Sequence, residues 1–102
     1  MLMTATAGLP PLTLYRRDGC CLCDGLEQRL RALEPRPDLV LVDVASDPAL
    51  EARYGLEIPV LAVRRADQLQ ELPRASPRLS GAALDRWLRK CLAALSDAPE
   101  SA

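Results

Sequence analysis

Two hydrophobic periods alternate along the chain. "LTLY" (12–15) is a short aliphatic, β-branched and aromatic run that ends at Arg16-Arg17-Asp18-Gly19, the pattern of a strand followed by a turn. From Cys21 the spacing becomes helical. Leu22, Leu26, Leu30 and Leu33 fall at i, i+4, i+8 and i+11, with Glu27, Gln28, Arg29 and Arg31 on the other faces. Pro35 and Pro37 stop this helix. "DLVLVDV" (38–44) is almost continuously apolar, as expected of a strand covered on both faces. In "SDPALEARYG" (46–55), Asp47 is the N-cap candidate, Pro48 takes the first helical position and Gly55 the C-terminal stop. "IPVLAV" (58–63) predicts a third strand with a proline at its entrance, and "QLQEL" (68–72) a fourth, paired with it across the turn at 64–67. Residues 73–79 read as loop. Ser80 then caps a final helix whose Leu84, Trp87, Leu88, Cys91, Leu92 and Leu95 form one apolar stripe.

The order β-α-β-α-β-β-α predicts an α/β protein: a parallel crossover, then an antiparallel hairpin, giving a four-stranded mixed sheet flanked by three helices. One domain is expected over residues 12–96, between a flexible lead at 1–11 and a flexible tail at 97–102. A chain of 102 residues suits a single domain. Its core must be aliphatic, because there is no Phe, one Trp and two Tyr.

Charge narrows the partners. The formal net charge is −1, and basic residues concentrate only at Arg16-Arg17 and Arg64-Arg65. That is no phosphate-binding stripe, so nucleic acid is not an expected partner. No apolar run reaches the length of a membrane span, and "MLMTATAGLPPL" has no secretory-signal pattern. A soluble cytoplasmic monomer is expected, without membrane attachment.

Histidine is absent, which leaves catalysis to thiols or carboxylates. Three of the four cysteines lie in "CCLC" (20–23), and in a reducing compartment they point to chemistry or metal rather than a structural staple. Cys20 sits at the turn and Cys23 in the first helical turn, on the same side and close enough for a disulfide. The helix N-terminus favours negative charge on the first cysteine, and Arg16 or Arg17 adds a cation beside it. Three readings are open. In the redox reading Cys20 attacks a disulfide and Cys23 resolves the mixed intermediate. In the second, both are idle thiols. In the third, Cys20, Cys21, Cys23 and Cys91 supply metal ligands without help from histidine, which suits a site bridging two chains better than one within a chain. Cys91, on the apolar stripe, is expected in the core and Cys21 exposed at the helix start. Arg17 either supports the charge on Cys20, holds a substrate carboxylate, or is a solvated turn residue.

These segments resemble the glutaredoxin-like branch of the thioredoxin superfamily. "YRRDGCCLC" has the layout Tyr-x-Lys-x-x-Cys-x-x-Cys with Arg17 in the lysine place, and "ARYGLEIPVLAV" is similar to the family's Tyr-Gly-x-x-x-Pro segment. The resemblance implies a thioredoxin fold and a thiol–disulfide oxidoreductase that binds no organic cofactor. Its partners would be a disulfide-containing protein or a glutathione mixed disulfide, with glutathione as a possible reductant. It further implies that Pro59 is cis and faces the cysteines, while Ile58 offers its backbone N–H and C=O to a bound peptide. "LSGAALDRW" departs from the glutathione-holding Gly-Gly pattern by keeping only Gly81. The helix N-terminus at Ser80 and Gly81 is still able to receive a carboxylate through backbone N–H groups. A thioredoxin-fold binding or scaffold domain without turnover is the alternative, since fold alone does not fix activity.

Overall fold

The computed structural model describes residues 9–65 and 67–96. Residues 1–8 of the expected lead and the whole expected tail lie outside the described residues. The elements are β1 (Leu12–Arg16), α1 (Cys21–Arg31), β2 (Leu39–Asp43), a 3-10 turn (Val44–Ser46), α2 (Pro48–Tyr54), β3 (Val60–Arg65), β4 (Gln68–Glu71) and α3 (Gly81–Ser96). They form one four-stranded sheet in the order β2-β1-β3-β4. β1 and β2 run parallel, with Leu12 opposite Leu39. β3 is antiparallel to both β1 and β4. This is the four-stranded mixed sheet that the element order predicts.

Strand alternation divides the core in two. Leu12 and Leu14 of β1 and Leu61 and Val63 of β3 point to one face, where Leu26, Leu30 and Leu33 from the first helical segment and Leu84 and Leu88 of α3 cover them. Trp87, Cys91, Leu92 and Leu95 pack against this cluster from its rim, and so does Leu9. The backbone just before β1 is also engaged, since Arg64 N–H donates to Pro11 C=O at 3.2 Å. Tyr15 and Ala62 point to the other face and meet Val44 and Tyr54.

Polar contacts fix α2 on that second face. Asp47 Oδ1 accepts from Ala49 N–H at 2.8 Å, the cap expected ahead of Pro48. At the other end the Tyr54 ring stacks on Tyr15 with centroids 4.3 Å apart. Tyr54 Oη donates to Glu71 Oε2 at 2.8 Å, and Arg53 donates to the same oxygen at 2.6 Å. These hydrogen bonds from Tyr54 and Arg53 hold the Glu71 carboxyl below the usual carboxylate range. The C-terminal end of α2 is thereby tied to β4.

Three expectations change. β2 is not covered on both faces: it is an edge strand, with Val40 54% and Leu41 39% exposed, because one short helix cannot shield a strand with only one neighbour. Leu22 is 55% exposed and stands outside the helical stripe, whose first buried member is Cys23. β3 begins at Val60, which leaves Ile58 and Pro59 in the approach to the strand.

Candidate functional site

The turn from β1 into α1 puts both cysteines at one place. Cys20 N–H donates to Arg17 C=O at 3.3 Å, closing the turn. Gly19 takes φ +84°, a left-handed conformation that a side chain disfavours. Cys20 is then the N-cap of α1, in extended backbone. Its Sγ accepts from Cys23 N–H at 3.2 Å, and its C=O accepts from Asp24 N–H at 3.0 Å. A sulfur thus does the capping usually given to a Ser, Thr, Asn or Asp oxygen. An N–H and the positive end of the helix dipole both meet that sulfur.

The two thiols differ in setting. Cys20 is partly exposed and Cys23 is fully buried. Burial first, then interaction with the Cys20 sulfur, push the Cys23 thiol up to about 11 from its ordinary 9. The backbone at Arg17 and the charge of Arg16 pull it back only in part. Cys21 is exposed at the helix start. Cys91 is half-buried in an apolar groove of about 670 Å³ bounded by Leu72, Trp87 and Leu95. The fold therefore does not gather four cysteines, and among the described residues no group of three His, Cys, Asp or Glu side chains is placed to hold a metal ion.

The raised Cys23 thiol has a consequence for stability. A group that keeps its proton more tightly in the folded state stabilises it fully below its unfolded value and loses that contribution as pH rises through the folded one. For Cys23 the window runs from about 9 to about 11. Equilibrium unfolding of the wild type between these pH values should show an alkaline loss larger, by on the order of 2 kcal/mol, than that of Cys23→Ala. Equal losses would remove the buried-thiol account.

Both arginines before the cysteines are engaged. Arg16 reaches Asp18 at 3.2 Å, Asp24 at 2.5 Å and Glu27 at 3.6 Å, and its side chain is only 13% exposed. Arg17 is hydrogen-bonded to the Glu51 carboxylate on α2. That bond raises its guanidinium, with the Cys20 sulfur contributing in the same direction. Arg17 is therefore held by Glu51 while its side chain stays more than a third exposed. It bridges the cysteine turn to α2.

Ile58–Pro59 is a cis peptide bond. Pro59 shares a narrow cleft with Leu22, the residue inside the C-x-x-C, and with Leu26. Ile58 is modified from expectation: its N–H donates to Tyr54 C=O at 3.1 Å, so it is not available to a peptide as the resemblance implied. The helix start at Ser80 and Gly81 lies elsewhere. Gly81 shares a cavity with Ala32, Leu33 and Glu34, past the C-terminal end of α1. At 1.5 Å rise per residue that end is about 17 Å along the helix axis from Cys20. The reason is the 73–79 loop, whose Arg74, Ala75 and Pro77 run beside Leu22, Leu26 and Arg29 before the helix begins.

Sequence reasoning missed Leu22, Arg29 and Arg74 as residues of this cleft. The i+4 pattern assigned Leu22 to the core, although its place in the first turn beside a chain reversal was a signal for exposure. Arg29 sat on a polar helix face and Arg74 in a proline-rich loop, where nothing local marks a cleft.

The family model described as glutaredoxin-like domain (DUF836) matches residues 11–89. A structural-genomics target protein from X. campestris, solved by X-ray, is 35% identical with TM-score 0.53, covering 78% of this chain and 96% of that one. A malarial protein is 16% identical with TM-score 0.50, covering 80% and 96%, a likeness of fold alone. Thioredoxin 1 from Thermosipho africanus TCF52B is 16% identical with TM-score 0.49, covering 84% and 94%. No curated protein matches. With the model spanning most of its length and a relative above 30% identity, the chain belongs to the glutaredoxin-like domain family.

Proposed function

We propose that the protein is a cytoplasmic thiol–disulfide oxidoreductase with Cys20 as nucleophile and Cys23 as resolving thiol. One observation carries this reading: the Cys20 sulfur caps α1 and accepts the Cys23 N–H, while the second thiol waits buried behind it. The difference in exposure supports these roles, because the accessible thiol at the helix N-terminus is the one a substrate sulfur can reach.

The exchange runs in two displacements. The Cys20 thiolate attacks one sulfur of a substrate disulfide, forming a mixed disulfide and releasing the first substrate thiolate. Cys23 then gives up its proton and attacks the Cys20 sulfur, forming the Cys20–Cys23 disulfide and releasing the second substrate thiolate. The Cys23 proton passes to one released thiolate, and the other takes from solvent the proton that Cys20 lost on becoming a thiolate. The substrate gains two electrons and the protein dithiol loses two. Glutathione or a reductase restores the dithiol. Arg17, held by Glu51, supports charge at the cysteine turn, and Ile58 C=O with Pro59 forms the ledge on which a peptide or glutathione mixed disulfide rests.

Equilibration of the protein across glutathione redox buffers, alkylation, and peptide mapping test the reading. A reversible Cys20–Cys23 disulfide with a midpoint between roughly −200 and −300 mV is the expected result. Two thiols that stay independent throughout would refute it. A binding domain without turnover is the second reading, favoured by one observation: Gly81 stands with the far end of α1 and not with the cysteines.

A further inference from the structure

We infer that the cleft beside the C-x-x-C selects disulfide substrates carrying an acidic side chain near the reacting cysteine, with Arg29 and Arg74 as the specificity-determining residues. This deepens the oxidoreductase reading and rests on it.

The cleft is walled by Leu22, Leu26, Pro59, Ala75 and Pro77, and the two arginines are its charged lining residues. Among the described residues no carboxylate lines it. Arg29 folds over Gly25, so that a Cβ added there would stand 3.3 Å from its Nη1. Glycine inside a helix costs about 0.5–1 kcal/mol relative to alanine, and here the missing side chain gives the guanidinium its room. Arg29 Nε is buried and has no hydrogen-bond partner among the described residues. Its guanidinium has no ion-pair partner among the described residues, so its charge is open to a carboxylate that enters the cleft. Arg74 donates to Glu57 C=O at 3.0 Å, a neutral acceptor that leaves its charge uncompensated. Arg74 also borders the neighbouring cleft of Glu57 and Glu71. Glu71 there is already engaged by Arg53 and Tyr54.

Size decides what enters. The cleft holds about 50 Å³. A cavity that takes one water measures about 10–15 Å³, so this one suits a group of a few heavy atoms such as a carboxylate head. Gly25 lies about 8 Å along the helix from Cys20, and an extended peptide advances about 3.3 Å per residue. The acidic residue therefore falls two or three positions from the cysteine.

The test uses the full-length reduced protein and synthetic disulfide-linked peptide dimers that carry Glu, Gln or Lys two or three residues from cysteine. Each rate of reduction is divided by that of the same peptide with dithiothreitol, which removes effects on the leaving thiol. The Glu peptides should react roughly tenfold faster than Gln and faster still than Lys, with the preference shrinking as salt rises. Arg29→Gln and Arg74→Gln should each bring the Glu-to-Gln ratio towards one, while Arg74→Lys retains part of it. Equal normalised rates in the wild type, or a ratio unchanged in both Gln variants, overturns the inference and leaves the oxidoreductase reading standing. If no peptide is reduced at all, the oxidoreductase reading falls and takes this inference with it.

Discussion

Cys20→Ser should remove disulfide reduction, with a loss on the order of 10³-fold or more, as for other removals of an essential nucleophile. A serine oxygen can still cap α1, so the helix start and the fold should persist. What disappears is the atom that forms the mixed disulfide. Cys23→Ser should behave differently. The first displacement remains possible, the second does not, and the protein should accumulate as a mixed disulfide with its substrate, visible as a mass increase. This pair of variants also separates the two functional readings. A binding domain would keep its affinity in Cys20→Ser and trap nothing in Cys23→Ser. Full reductase activity in Cys20→Ser would end the proposed role of that cysteine.

Leu14→Ala should cost about 3 kcal/mol, the usual range for a buried leucine truncated to alanine being about 2–5 kcal/mol. Leu14 is fully buried on the central strand β1, between Leu41 and Leu61, and belongs to the cluster that α1 and α3 cover. A chain of this size commonly has about 5–15 kcal/mol in total, so one side chain holds a large fraction. The midpoint of thermal unfolding should drop by roughly 15 °C. Leu56→Ala is the control, since that side chain is wholly exposed and its truncation should move the midpoint little. Similar shifts for the two variants would contradict the described core.

The elements were legible because this chain marks them locally. Asp47-Pro48 caps α2 as its residue types require, and the stripe Leu84, Leu88 enters the core as its period demands. β1 could be read from four residues, since it ends at a turn with Asp18 and Gly19. The C-x-x-C was legible for the same reason: spacing and a strand-to-helix turn place the two sulfurs, whatever the remainder of the fold does. Other features depend on what comes from afar. The apolar run in β2 does not reveal that it has one neighbour rather than two, which only the sheet order decides. The partner of Arg17 is a glutamate in another helix, and the acceptor for Ile58 N–H is the last residue of α2. The loop at 73–79 is legible as a loop, but not where it leads. Its course along α1 places Gly81 past the far end of that helix and brings Arg74 into the cleft beside Leu22.

The exposed border at β2 also bears on how copies of this protein meet. Leu39–Asp43 is short, strongly β-forming and paired on one side only, so its free amides and carbonyls face outward beside Val40 and Leu41. Such a border invites a second strand, and with it stacking into aggregates. Asp38 and Asp43 stand at its two ends. Two copies aligned border to border in parallel register would bring like charges together at both ends. A carboxylate just before the strand and one at its last residue are thus the gatekeepers of this border, and their like charges oppose such pairing.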